Sequence, residues 1–512
     1  MSTQFGILCL LPPIIAIVLA LITKQTILSL VVAAYIGAVI VNGWNPLVGF
    51  VKLITDYFIP QLSGNASMII LVTIAGGMIA MMRQTGAAQA FAKKVTKTIN
   101  TPKKGQIVTS ASAFIFCYTE PCLMLGTIMR PLCDAVRVSR AKVAYILDSL
   151  GCNLACISPI SSYGPFITGL IAAELVAAGV TGNEWGIWAK MIPFNFYGLF
   201  AMITVFIVAI FGLDFGNMRK EEVRARETGK VIADDVEPLV PEVKVVFPEG
   251  YEPTMLNFLV PLICLFVSIF ATIFYTGDIA TNGFAGCFRN ANITAAICVG
   301  FMCGGIGAGI VGVTTKLFSL SKAFNTFIDG MAEMINVPFI LVCAWSLGAV
   351  TKQMEVGAFM VGIVDKFLTP ALVPAFVFLF GAIISFATGS SWGVWSIMMP
   401  IACPMAFAFN VPIEFVVGAV ISGGLFGDQC SPVSDTTIMS STGASCNHIV
   451  HVMTQLPYGI TVGVAAFLGF LFGGLTGQYF LALVVTAVVL AAALIVLTKL
   501  SKKNDAEVIA KA

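Results

Sequence analysis

Charge is scarce in this sequence of 512 residues: Asp, Glu, Lys and Arg make up 11% of it, against roughly 25% in a soluble globular domain. Much of that charge is gathered in one stretch. Residues 214–253 hold six Lys/Arg and ten Asp/Glu, leaving 38 charges for the other 472 residues. A chain that is 58% hydrophobic cannot cover itself with polar surface, so most of it must sit in lipid. A net charge of +2 without a basic tract excludes a nucleic-acid partner. Histidine occurs only twice, which with the scattered Cys excludes most metal frameworks. The 14 Cys do not form a disulfide scaffold, because Cys9, Cys264, Cys298 and Cys343 lie in apolar runs where a thiol is a small hydrophobe. Cys152 and Cys156 are one helical turn apart with no third ligand near in sequence. Gly304-Gly305-Ile306-Gly307-Ala308-Gly309 falls in an apolar span and reads as close packing, not a phosphate loop. No nucleophile, base and orienting group converge in any motif, so neither an enzyme nor a resident cofactor is expected.

Long hydrophobic runs, by contrast, are abundant. A bilayer core of about 30 Å takes about 20 apolar helical residues to cross. Residues 5–22, 26–42 and 66–82 are such runs, and the first has no Lys or Arg before it, so it reads as a span and not a cleaved signal. Arg83, Lys93, Lys94, Lys97, Lys103 and Lys104 then follow without an acid among them, and Arg130, Arg137, Arg140 and Lys142 form a second cluster. The positive-inside rule puts both in the cytoplasm. Residues 105–136 between them must therefore enter and return as a hairpin, interrupted at Glu120-Pro121 with its tip near residues 118–122. Residues 143–179 are again too long for one crossing and carry a breaker at Ser158-Pro159-Ile160-Ser161-Ser162-Tyr163-Gly164. After residues 191–213 and the charged segment, residues 255–275, 291–313 and 331–350 cross in turn. Residues 369–410 form a second hairpin broken at 388–393. Residues 413–427 open a span broken from 428 through 447, and residues 456–475 and 479–498 finish the bundle.

The expected fold is an all-α polytopic membrane protein with about 11 transmembrane helices and two re-entrant hairpins. Its divisions are a first repeat (1–213), a cytoplasmic charged linker (214–253), a second repeat (254–498) and a cytoplasmic tail (499–512). The expected setting is the cell membrane, with the N-terminus outside and the C-terminus cytoplasmic. Ser158-Pro159-Ile160-Ser161 and Ser431-Pro432-Val433-Ser434 each follow a hairpin that is itself followed by a Met-x-Pro motif, Met129-Arg130-Pro131 or Met398-Met399-Pro400. With the hairpin ends on opposite sides, these are two inverted repeats, the construction of many secondary transporters.

In such folds, substrate and coupling ion bind where helices are discontinuous. Unwound carbonyls with Ser, Thr and Asn oxygens suit Na⁺, and half-helix N-termini suit an anionic group. An acid at membrane depth is costly and by default functional. Asp428 and Asp435 flank the second Ser-Pro break and are candidate cation ligands or proton carriers, with helix capping as the plainer alternative. Asp148 leads into the first break, and Glu120 sits at the first hairpin tip; both are candidates for the same site. Ser431, Ser434, Thr436 and Asn153 supply neutral oxygens beside them. Thr119, Ser158, Ser161, Ser162, Thr388, Ser390 and Ser391 line the breaks and are candidates to hold a small organic solute. His448 and His451 share a helical face, either as a proton relay or as a neutral hydrogen-bonded pair. Glu174, Glu184, Glu414 and Asp278 fall near span ends and are expected to be solvated.

At Gly427-Asp428-Gln429-Cys430-Ser431-Pro432-Val433-Ser434-Asp435-Thr436-Thr437, then Asn447-His448-Ile449-Val450-His451 and Thr454-Gln455-Leu456-Pro457-Tyr458, the sequence resembles the NhaC family of sodium/proton antiporters. Ala387-Thr388-Gly389-Ser390-Ser391-Trp392-Gly393 and Asp148-Ser149 are similar to its motifs as well. The resemblance implies a scaffold plus a mobile transport domain, commonly in a homodimer, working by alternating access with Na⁺ coupling. Some relatives exchange Na⁺ for H⁺; others carry organic acids or amino acids. Three positions depart from the family pattern: Cys117-Tyr118 replaces an Asp-Asp pair, Gln429 a His, and Val450 an acid between the two His.

Overall fold

Proline, glycine and short polar side chains set the helix ends in the computed structural model, which describes residues 5–502 except 24, 88, 91–99, 117–120, 160, 235–246, 248–250, 356–358, 360–368 and 433. The apolar α1 (Leu11–Thr23) and α2 (Thr26–Val41) are followed by α3 (Pro46–Lys52), whose first turn is capped by Asn45 Oδ1, accepting from the Leu47 and Val48 amides at 3.1 Å. A π-helical stretch, Leu53–Phe58, continues into α4 (Ile59–Gly64), and the chain bends by 118° between α2 and this segment, a feature absent from the sequence reading. After α5 (Ala66–Gln84) come the arms of the first hairpin, α6 (Pro102–Ile115) and α7 (Pro121–Ala135). The next span is interrupted as expected. Its first half, α8 (Arg140–Ile157), stops at Ser158-Pro159, and its second, α9 (Tyr163–Ala178), ends on Gly179 at φ +67°.

Then follow α10 (Glu184–Met191), α11 (Phe196–Phe211) and α12 (Gly216–Thr228), the last lying inside the charged segment. The middle of the chain is α13 (Met255–Thr276), α14 (Ile279–Asn290), α15 (Ile293–Thr314), α16 (Leu320–Glu333) and α17 (Asn336–Gln353). The second hairpin is α18 (Val373–Thr388) and α19 (Ser391–Ala408), joined through Gly389 at φ +69°, a left-handed turn that glycine makes without strain. The chain ends in α20 (Ile413–Cys430), α21 (Asp435–Gly443), α22 (His448–Thr476) and α23 (Tyr479–Lys502). The expected break over 428–447 is thus corrected: α20 runs through Asp428, residues 431, 432 and 434 are non-helical, and α21 refolds before a short turn leads into α22.

Among the described residues there is no strand, and eight helices are long and apolar enough to cross a membrane, or nine if the bent pair is one span. Four further apolar helices are shorter, at Gly6–Ala16, Ile69–Gln84, Tyr163–Ala178 and Pro370–Phe386. The protein is a multi-pass, all-α membrane protein.

The two repeats interlock. Each hairpin packs on the helix that follows it, α6 and α7 on α8, and α18 and α19 on α20. The second arm of each hairpin then packs on the post-break helix of the other repeat, α7 on α21 and α19 on α9. An aromatic cluster seals the latter contact, with the Trp392 ring 4.5 Å from Tyr163 and 4.4 Å from Phe166, centroid to centroid. The serines that flank the breaks, Ser158, Ser161, Ser431 and Ser434, are buried in protein, while Pro159 and Pro432 are exposed; irregular backbone at membrane depth is tolerated where protein or a water-filled cavity surrounds it.

Candidate functional site

The site grows from the ends of α8 and α20. Asp428 lies in the last turn of α20 and Asp148 in the middle of α8, and each is 1% exposed. Asp428 Oδ1 accepts from Ser434 Oγ at 2.7 Å, and its Oδ2 from Ser391 Oγ at 3.1 Å. Ser434 also lies 2.9 Å from Thr436 Oγ1. One carboxylate thus gathers hydroxyls from the tip of the second hairpin and from the break, and Ser434 links it to Thr436 of α21. Its position at a helix C-terminus, where the backbone dipole is negative, adds to its pull on a cation.

Asp148 is surrounded differently. Its Oδ2 accepts from Gln455 Nε2 at 2.5 Å and Thr437 Oγ1 at 3.0 Å, and its Oδ1 from Ser440 Oγ at 3.4 Å. Gln455 Nε2 also donates to the Gln429 carbonyl at 2.5 Å, and Gln429 Nε2 donates to Ser149 Oγ at 2.6 Å. Tyr197 Oη donates to Gln429 Oε1 at 2.9 Å. Gln429, at the position where the family pattern has a His, therefore ties α20 to α8, α11 and α22.

Asn153 completes the junction. Its Nδ2 donates to the Ser149 carbonyl at 2.7 Å and to Gln429 Oε1 at 3.4 Å, which fixes the amide orientation. Its Oδ1 is buried without a hydrogen-bond partner. An orphaned buried carbonyl is costly and calls for an explanation; a bound cation supplies one. Through Gln429, the residue next to Asp428 in the chain, Asn153 is tied to the end of α20.

The remaining expected residues are placed as follows. Ser161 Oγ donates to the Ala155 and Ser158 carbonyls at 2.5 and 3.0 Å, closing the end of α8, and Ser158 and Ser162 are buried beside it. Ser390 caps α19 by accepting from the Gly393 amide, and Thr388 donates back to the Ile384 carbonyl, so both hydroxyls are engaged locally. Ser391, expected on the solute side, instead joins Asp428. Ser431 is fully buried in the break. Thr119 and Glu120 lie outside the described residues, as does the side chain of Asp435, whose backbone begins α21. His448 and His451 both contact Ser441 Oγ. Glu174 corrects an expectation: it is 4% exposed, packed between α9 and Gly348 of α17 instead of solvated. Glu184 and Glu414 are half-buried and Asp278 is exposed.

Sequence reasoning missed Gln455, Thr437, Ser440, Ser441 and Tyr197. A signal existed for Gln455 alone, which continues the 448, 451 face of one helix at a spacing of four.

An oxygen-lined, buried junction at two interrupted helices in a two-repeat bundle is the architecture of an ion-coupled secondary transporter. The sequence matches the Na+/H+ antiporter family over residues 154–475, and the chain belongs to that family. It is 30% identical over 485 residues to an uncharacterized protein of Haemophilus influenzae, covering 91% of each chain. It is 27% identical over 165 residues to the malate-2H(+)/Na(+)-lactate antiporter of Bacillus subtilis, covering 31% of this chain and 35% of that one. In fold it is similar to the YdaH transporter of Alcanivorax borkumensis, with a TM-score of 0.55 at 15% identity over 84% of this chain and 90% of that one.

Proposed function

We propose that the protein exchanges Na⁺ for H⁺ by alternating access, with Na⁺ held at Asp428 and the proton carried on Asp148. One observation carries this reading: two buried carboxylates from the two repeats face a single short helix. Ser434, at the cap of α21, serves Asp428, while Thr437 and Ser440 of the same helix serve Asp148. A Na⁺ ion at Asp428 turns hydroxyl lone pairs toward itself and draws on Asp428, Ser391, Ser434, Thr436 and the orphaned Asn153 oxygen. Asp148 has an ionisable neighbour in His451, whose Nε2 is 4.0 Å from its Oδ2, and such a neighbour suits a carboxylate that trades a proton better than one that ligates a metal. Because α21 contacts both, filling one site shifts the donors of the other.

The test is a Na⁺ pulse on acid-loaded proteoliposomes with a luminal pH dye. Wild type alkalinises the lumen, and Asp428→Asn abolishes the response. Asp148→Asn stops proton movement while ²²Na⁺/Na⁺ exchange continues. Proton movement that survives in Asp148→Asn, or that needs no Na⁺, overturns the assignment.

A second reading is Na⁺-coupled exchange of a small carboxylate. It is favoured by the name of the Bacillus subtilis relative and by the N-termini of α9 and α19, which open at the breaks and suit an anion. Solute-dependent ²²Na⁺ flux without a dye response would select it.

A further inference from the structure

We infer that His448, Ser441 and His451 form a binding site for one shared proton, linked through Gln455 to Asp148. The argument is an inventory of hydrogens. His448 Nε2 lies 2.7 Å from the Pro432 carbonyl, which can only accept, so that nitrogen carries a hydrogen. Gln455 Nε2 donates to the Asp148 carboxylate and the Gln429 carbonyl, so its Oε1, 3.1 Å from His451 Nε2, accepts, and this nitrogen carries a hydrogen too. With both rings neutral, both Nδ1 atoms are then bare acceptors. They point at the same hydroxyl: Ser441 Oγ is 3.1 Å from His448 Nδ1 and 2.8 Å from His451 Nδ1.

One serine hydrogen cannot serve two acceptors, and the Thr437 carbonyl, 2.8 Å from Ser441 Oγ, competes for it as well. The arrangement is one proton short. Adding a single proton satisfies it: one imidazolium donates Nδ1–H to Ser441 Oγ, and Ser441 donates to the other Nδ1. When the first ring's Nδ1 proton passes to Ser441 Oγ and the serine hydrogen passes to the other Nδ1, the charge moves from one ring to the other without moving a heavy atom. His451 is fully buried and His448 half-buried, so the bridge runs from the edge of the break inward.

The surrounding charges suit a cation here. From α8, Asp148 Oδ2 is 4.0 Å from His451 Nε2, and further along the same helix are Tyr145 and the Lys142–Asp214 pair. From α20 and α11 come Asp428, Cys430 and Tyr197, and α12 contributes Glu221 and Glu222 near the start of α22. From α7 come Arg130 and Asp134, the latter paired with Arg140, and α21 opens with Asp435. α23 places Tyr479 at the far end of α22 and brings Lys499 back beside its first turns, where Leu497 and Leu500 lie near Met453 and Leu456. The net result is an Asp148 carboxylate balanced by one imidazolium, so a proton gained or lost at Asp148 changes the charge that the histidine pair faces. This extends the assignment of Asp148 made above, but the proton count stands on the histidine geometry alone.

These are the only two histidines in the sequence, so ¹⁵N-histidine labelling of the full-length protein with a histidine-free affinity tag reports this site and nothing else. Solid-state NMR in lipid near neutral pH should give imidazolium nitrogen signals worth one ring out of two. Ser441→Ala should lose that signal, and Ser441→Thr, which keeps the hydroxyl, should retain it. Two neutral rings between pH 6 and 8, or two rings titrating independently in the wild type, overturn the inference, as does an unchanged signal in Ser441→Ala. The measurement involves no transport. A shared proton found in a protein that moves no protons would sink the antiport reading and leave the site standing.

Discussion

Asn153 shows how a single side chain can be pinned and yet incomplete. Its nitrogen is spoken for twice, while its oxygen is buried with no hydrogen-bond partner. If that oxygen completes the Na⁺ shell, Asn153→Ala removes one neutral ligand and should raise the half-saturating Na⁺ concentration about tenfold, the equivalent of about 1.4 kcal/mol. Measured as ²²Na⁺ uptake against Na⁺ concentration, an unchanged midpoint would show that the orphan oxygen has another role. The acids of this site were legible in the sequence, because a carboxylate at membrane depth beside a Ser-Pro break has few uses other than binding. Their separate hydrogen-bonding surroundings were not. Asp148 and Gln455 are 307 residues apart, and only the fold brings them together. Gln429 reads as a missing histidine in the sequence, whereas in the fold its side-chain amide joins α8 and α11 and its backbone carbonyl holds α22.

The elements were legible where polarity or proline interrupts an apolar run, and misread where tertiary packing overrides propensity. Asp435-Thr436-Thr437-Ile438-Met439-Ser440-Ser441-Thr442-Gly443 is too rich in Thr, Ser and Gly to favour a helix alone, and it read as part of a long break. Packed against α7 and α8, it is α21. Close approach is also an element property. A Cβ on Gly427 would meet Ser385 Cβ at 2.3 Å and the Phe386 amide at 2.4 Å, and one on Gly423 would meet the Phe378 carbonyl at 2.5 Å. These two glycines, a turn apart on α20, let α18 lie against it, the small-residue packing usual between membrane helices. Gly427→Val should therefore cost at least about 1–3 kcal/mol through overpacking and lower the melting temperature in detergent. Gly64→Val, where nothing lies within 4 Å of the added carbon, should melt like wild type. Equal melting of all three proteins would mean that α18 and α20 can separate freely.

At the scale of the whole molecule, the charged segment is not a passive tether. Asp214, where it begins, is buried against Lys142 of α8, and its Oδ1 also accepts from Tyr458 Oη of α22 at 3.2 Å. Lys142 is itself fully buried, with its Nζ 5.5 Å from the ring centres of both Tyr145 and Tyr458. Further along, Glu222 of α12 accepts from the Ser139 amide and hydroxyl at 2.9 and 2.7 Å and from Gln106 at 3.1 Å. These contacts fasten helices of both repeats to the segment that connects them. Counting charges for the positive-inside rule registered Lys142 but could not reveal that its partner lies 72 residues away. Removing one member of such a pair leaves the other charged and buried, so Lys142→Met should lower stability by about 3–5 kcal/mol, whereas a fully apolar replacement is often close to neutral. Lys142→Met with Asp214→Leu should accordingly melt closer to wild type than either single variant. The amide of Phe215 keeps its bond to Tyr458 Oη at 3.2 Å in all of them, and Arg226, which reaches Asp214 at 3.6 Å, is half-exposed and can turn to water. Lys142 lies six residues before Asp148, about 9 Å along the helix axis, so the folded fraction of each variant should keep a Na⁺ midpoint near that of wild type. A double variant no more stable than the singles would mean that the pair's directed hydrogen bonds, and not relief of buried charge, hold the two repeats to their linker.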